Sequence, residues 1–136
     1  MSTSEHNSVL PLYIALSPNQ LEQVQNSDWR QLVASRSDDS YCYLKQRQRY
    51  AEMVARMSIL PEFGAAYVLR LLLPLAAMRP FSLETVAYEE HLEYQVPVQA
   101  LPTLTARLLG QLQLLTAFRE QHSFSVRPGF AASYLR

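Results

Sequence analysis

The side chains able to do chemistry fall into a few groups. Glu89, Glu90, His91 and Glu93 stand together. Carboxylates around an imidazole can hold a divalent metal, but the helical carboxylate–histidine pattern needs a Glu three residues before the His, and Tyr88 occupies that place. A solvated acidic helix face explains the cluster more simply, so no metal is assigned. Cys42, between Tyr41 and Tyr43, is the sole cysteine. An internal disulfide is therefore excluded, and a nucleophilic thiol would need a neighbouring base that the sequence does not mark. The run Lys45-Gln46-Arg47-Gln48-Arg49, with Arg56 beyond it, could grip phosphates or an acidic partner. Finally, Gln99, Thr103, Arg107 and Gln111, followed by Arg119 and Arg127, are of the types that meet DNA: Arg reads guanine edges, Gln adenine edges, and Thr touches phosphate oxygens. Three glycines in the chain leave no phosphate-cradling loop and no dinucleotide fingerprint. No catalytic constellation and no cofactor is expected, and the chain reads as a non-enzyme.

These residues need elements to hold them. Residues 9–16 are apolar and short, and suit a strand that Pro11 confines to an edge. Ser17-Pro18 is a helix start, placing Leu21 and Val24 on one face, and Trp29, Leu32 and Val33 supply a second apolar turn. Residues 35–40 are loop-like. From 40 to 57 the spacing of Tyr43, Leu44, Tyr50, Val54 and Met57 predicts an amphipathic helix with Lys45 and Arg49 on a shared face. Residues 62–78 read as a helix apolar on nearly every side, the centre of the fold, bent by Pro74. A short helix over 83–92 follows, with Glu84, Glu89, Glu90 and Glu93 outward. The next begins at Pro97 or Pro102 and carries Leu101, Leu104, Leu108, Leu112 and Leu115 at helical steps. Residues 115–119 and 124–127 read as two short strands joined by 120–123, with Pro128-Gly129 after them.

The order helix, short helix, break, longer helix, hairpin over residues 65–128 resembles the winged helix-turn-helix superfamily. The phrase FSLETVAYEEHL followed by PTLTARLLGQLQLL carries the likeness. The stretch between the two helices is longer than the usual turn and holds two prolines without a glycine. The fold class expected is therefore mainly α (α+β), a helical N-terminal half followed by a helix-helix-helix-hairpin unit. The resemblance implies a third helix exposing Gln99, Thr103, Arg107 and Gln111 to DNA and a wing offering Arg119 and Arg127. A transcription regulator binding double-stranded DNA as a dimer is one reading. A protein-interaction module, an adaptor, subunit or anti-regulator that leaves nucleic acid alone, is the other, with Lys45, Arg49, Arg56, Glu89 and Glu90 meeting the partner. The first reading leads and the second is the alternative; the acidic second helix stands against the first, because it would repel phosphates.

Composition sets the frame. The chain has 136 residues, 49% of them hydrophobic and 18% charged, which excludes disorder from end to end. Residues 1–8 are expected to be flexible, 9–60 to form an arm and helices, and 61–136 the winged-helix-like region, all within one compact domain. No leader or spanning segment is visible, so a cytoplasmic protein away from membranes is expected. Trp29 and eight tyrosines favour a homo-oligomer or a protein partner. The balance of 12 Lys+Arg against 12 Asp+Glu is uneven along the chain. Arg79 stands alone against Glu84, Glu89, Glu90 and Glu93, whereas Arg107, Arg119, Arg127 and Arg136 face only Glu120.

Overall fold

The computed structural model describes residues 8–85 and 92–120. Its frame is a six-stranded antiparallel sheet, not a helical bundle with a wing, and the mainly helical fold class is overturned. The strands are β1 (Val9–Leu16), β2 (Tyr41–Lys45), β3 (Ala65–Pro74), β4 (Ser82–Thr85), β5 (Leu92–Pro97) and β6 (Gln113–Arg119), in spatial order β4-β5-β2-β1-β3-β6. The helices are α1 (Pro18–Asn26), α2 (Gln48–Val54), α3 (Leu60–Phe63) and α4 (Leu101–Thr105).

The decisive departure is β3. The run Ala65–Pro74 has no alternation because both of its faces are covered, and a fully buried strand shows the same continuous apolar text as a buried helix. It pairs with β1 along the whole of that strand, from Val9 opposite Pro74 to Leu16 opposite Tyr67. Pro74 ends β3 rather than bending a helix. β1 is not the edge strand expected from Pro11, since it lies between β2 and β3; Pro11 is tolerated because β2 meets β1 at Tyr13 opposite Lys45, which leaves Pro11 itself with a strand on one side only.

The sheet is packed on both faces. On the first, Leu12, Ile14 and Leu16 of β1, Cys42 and Leu44 of β2, Leu69 and Leu71 of β3 and Val96 of β5 meet α1, α4 and the chain between α1 and β2. Within α1, Gln20, Leu21 and Val24 are the inward positions, as helical spacing dictates. On the second face Ala15, Ala66 and Val68 take Ala51, Ala55 and Ile59 from the helical stretch 48–63. Four of those six side chains are alanine, and their small size brings helix and sheet backbones close. A π-helical turn, Ala55–Ile59, joins α2 to α3 just before Pro61, whose missing N–H cannot continue the α-helical ladder. Gly64 closes α3 in the left-handed region at φ 80°, its N–H donating to the Leu60 carbonyl at 2.8 Å.

Other expectations resolve element by element. Ser17-Pro18 does open α1, although the Ser17 hydroxyl makes no capping bond. The helix expected over 40–57 begins only at Gln48, because Tyr41-Cys42-Tyr43-Leu44 is aromatic-rich and pairs with β5. The helix expected over 83–92 is replaced at its start by β4 and at its end by β5, with 86–91 outside the described residues. The long third helix is absent. In its place stand a 3-10 turn, Val98–Ala100, the single-turn α4, an irregular stretch and the start of β6. Residues 115–119 are indeed extended, but their partner is β3. The second strand expected, 124–127, lies outside the described residues.

Candidate functional site

No helix of the described residues is long and apolar enough to cross a membrane, and none of them form a group of three or more His, Cys, Asp or Glu able to hold a metal. The residues expected to face DNA are not presented by one helix. Gln99 lies in the 3-10 turn, Thr103 in α4 and Arg107 after it, all exposed. Gln111 is tied back, its amide donating to the Asp28 carbonyl at 2.9 Å. Arg119 is at the end of β6 with its guanidinium over the Tyr67 ring. Arg127, Glu89 and Glu90 lie outside the described residues.

The basic run is also divided. Arg49 is exposed on α2, and Arg56 is exposed on the π-helical turn with its guanidinium over Phe118. Lys45 is elsewhere: as the last residue of β2 it points to the second face of the sheet beneath α2, with 3% of its surface exposed. Its ammonium is 3.3 Å from a Glu93 carboxylate oxygen, donates to the Tyr43 carbonyl at 3.1 Å and lies 5.5 Å from the ring centres of both Tyr43 and Tyr50. The Tyr50 hydroxyl also donates to Glu93. Burial pulls the Lys45 pKa below its ordinary value, and Glu93 partly restores it. Burial pushes Tyr50 up to about 12, and the Glu93 charge adds to that rise. Each polar group here is taken by another, which makes the cluster an internal clamp between β2, β5 and α2. It is not the solvated, partner-gripping face expected of Lys45. Cys42, on the opposite face, is fully buried; burial raises its thiol to about 12, the Lys45 ammonium only partly opposing, and Sγ lies 3.7 Å from the Val33 carbonyl. In the folded chain that thiol is shut away from solvent, and burial favours its protonated form.

A cavity of about 500 Å³ opens on the first face. One wall is the chain from Gln31 to Asp39; the others are Gln20 of α1 and Val98, Leu101, Pro102 and Thr105 around α4. Tertiary contacts shape it. Asp28 and Trp29 both adopt positive φ, near 63° and 62°, which turns the chain sharply out of α1. The chain then runs buried from Leu32 to Ser35 without belonging to any strand of the sheet. Its backbone is held by individual groups. The Leu32 N–H donates to Thr105 Oγ1 at 3.0 Å, Gln20 Nε2 donates to the Ala34 carbonyl at 3.1 Å, and the Ser35 carbonyl accepts from the Ser17 N–H at 3.0 Å. Gln20, 4% exposed, is itself oriented by Gln23, whose Nε2 donates to its Oε1.

The rim is fixed by Arg36. Its N–H donates to Asp39 at 3.0 Å, its Nε to Glu62 at 2.8 Å and its Nη2 to the Ser58 hydroxyl at 2.9 Å. That side chain ties the cavity mouth to the helical stretch on the far side of the sheet. Its guanidinium is thus largely occupied, while Gln31 and Ser37 are exposed at the mouth.

Sequence reasoning misses this site. Thr105 falls within the expected readout helix and Gln20 within the helix opened at Ser17-Pro18, and no pocket role is given to either. The available signal is Gln20 four residues before Val24, on the face of α1 that also buries Leu21. A polar side chain on a buried face must find a buried partner, here a backbone carbonyl. Comparison with protein-family models, curated proteins and solved structures gives no match.

Proposed function

We propose that this chain is a binding domain for a small organic ligand, held in the cavity between residues 31–39, α1 and α4. The observation that carries this reading is the cavity itself. About 500 Å³ of space, walled by Leu32, Val33, Val98, Leu101 and Pro102, is met by a few fixed polar groups from Gln20, Arg36, Asp39 and Thr105. Ligand sites combine apolar walls with a small set of placed hydrogen-bonding groups in this way, in a volume that suits a drug-sized molecule. The polar groups are held in place by bonds to other elements, so binding needs little reorganisation.

The test is a fragment screen read by amide NMR on the full chain. The expected result is that hits move amides of 31–37 and 98–105 together; a screen in which no fragment moves them would refute the reading. A second reading, docking of a protein partner, is supported by exposed Val9 and half-buried Leu72 and Pro74, on the part of the second sheet face that the helical stretch leaves uncovered. It predicts a stable complex that survives Leu101→Trp, a substitution that fills the cavity.

A further inference from the structure

This inference rests on the pocket reading above and narrows it to a ligand class. Along the buried wall the hydrogen bonds alternate in direction. Leu32 N–H and Ala34 C=O turn toward Thr105 and Gln20, which line the cavity, whereas Val33 C=O and Ser35 C=O turn toward Cys42 and Ser17. Such alternation is that of an extended chain, in which the N–H and C=O of one residue share an edge and the next residue uses the opposite edge. The Leu32 carbonyl and the Ala34 N–H therefore share the cavity edge. Neither makes a hydrogen bond to another described residue, although Leu32 is 2% and Ala34 5% exposed. Buried backbone groups are almost always paired, so these two take a partner from the cavity, solvent water or a ligand that displaces it.

A carbonyl followed two residues later by an N–H on the same edge presents one acceptor and one donor. A neighbouring strand could use that pair, but it could not continue past it. The flanking groups on this edge, Leu32 N–H and Ala34 C=O, are already taken by Thr105 and Gln20. What fits is a single short unit with a donor beside an acceptor, flat enough to lie between Val98, Leu101 and Pro102. We infer that the pocket takes a planar nitrogen heterocycle of the nucleobase type, its N–H donating to the Leu32 carbonyl and its ring acceptor receiving the Ala34 N–H.

The test titrates the full chain, labelled for amide NMR, with 9-methyladenine, 9-methylpurine and N6,N6,9-trimethyladenine. All three have the ring N–H blocked, and the last two keep the ring acceptors but lack the exocyclic donor, so they carry no N–H at all. 9-Methyladenine is expected to bind with a dissociation constant on the order of 1 mM or tighter. It should move the Ala34 amide proton downfield, and the two analogues should bind about fivefold more weakly or worse, since each lacks one hydrogen bond. Ala34→Pro removes the donor while suiting an extended chain, and should abolish the 9-methyladenine response with the remaining spectrum preserved. Equal binding of all three compounds to the unaltered chain would overturn the inference and leave the pocket reading standing. The inference also fails, with the pocket reading intact, if none of the three binds while an apolar fragment such as phenol moves the pocket amides. Silence of the pocket toward every compound would overturn both.

Discussion

Replacing Glu93 by Gln should expose how the internal clamp is balanced. The substitution keeps shape and removes the charge that faces a lysine almost without solvent contact. Breaking a buried pair by neutralising one partner generally costs about 3–5 kcal/mol, because the other charge stays buried and uncompensated. The low end, about 3 kcal/mol, applies here, since the Tyr43 carbonyl and the Tyr43 and Tyr50 rings still face the ammonium. For a domain of this length that loss corresponds to roughly 10 °C in Tm. The pH dependence has a definite sign. A lysine whose pKa is lowered by folding binds its proton more tightly in the unfolded chain, so stability rises with pH between the folded and unfolded values. Glu93 holds the Lys45 pKa up against burial, and without it the value falls further and the rise begins at lower pH. The difference between Glu93→Gln and the parent should therefore shrink from about pH 7 to about pH 9.5. Urea unfolding followed by circular dichroism at both pH values measures it. The upper limit stays below about 10 because Tyr50, raised to about 12, contributes the opposite slope above its ordinary value. The double change Lys45→Met with Glu93→Leu should return stability to within about 1 kcal/mol of the parent or above it. A Glu93→Gln variant as stable as the parent at neutral pH, with a difference that does not vary with pH, would refute the clamp.

Further perturbations probe other features. Gly64→Ala should cost about 1 kcal/mol by chemical denaturation, from backbone strain alone, since φ is 80° and an added Cβ meets nothing within 4 Å. Thr105→Val leaves the Leu32 N–H without its acceptor and should cost about 1–3 kcal/mol, with faster hydrogen exchange at Leu32. The Cys42 thiol, buried and with its pKa raised to about 12, should react with a disulfide reagent at about pH 8 only as fast as the chain opens, and react promptly in denaturant; rapid labelling of the folded chain would contradict its placement. The same raised pKa makes the folded chain lose stability as pH climbs from 9 toward 12, because the unfolded thiol gives up its proton first.

Local signals in the sequence are legible where they are self-sufficient. Ser17-Pro18 opens α1, residues 9–16 form a strand with Pro11 at a place lacking one neighbour, and Asn26-Ser27-Asp28 ends the helix before them. They mislead where burial on two sides erases the period. Ala65–Pro74 looks like a buried helix because nothing in a continuous apolar run distinguishes it from a strand covered on both faces. The leucines from 101 to 115 fall at helical steps by a different route. Leu101, Leu104 and Leu112 are each buried, but by a single helical turn and the irregular stretch after it that drape over the sheet.

What the sequence determined by itself is the supply of parts: a chain with enough apolar residues for a core, a single thiol, too few glycines for a phosphate loop, and charges sorted unevenly along its length. Which parts meet was decided by strand pairing. Lys45 and Glu93 are far apart in the chain and become partners only because β2 and β5 are neighbours in a register that sets them opposite each other. The cavity has the same origin: Gln20, Leu32, Ala34 and Thr105 come together because α1, the connecting chain and α4 cover one sheet face without completing another strand beside it. Periodicity reports which side of an element is buried, whereas the partner across the interface is a long-range fact that sequence spacing does not contain.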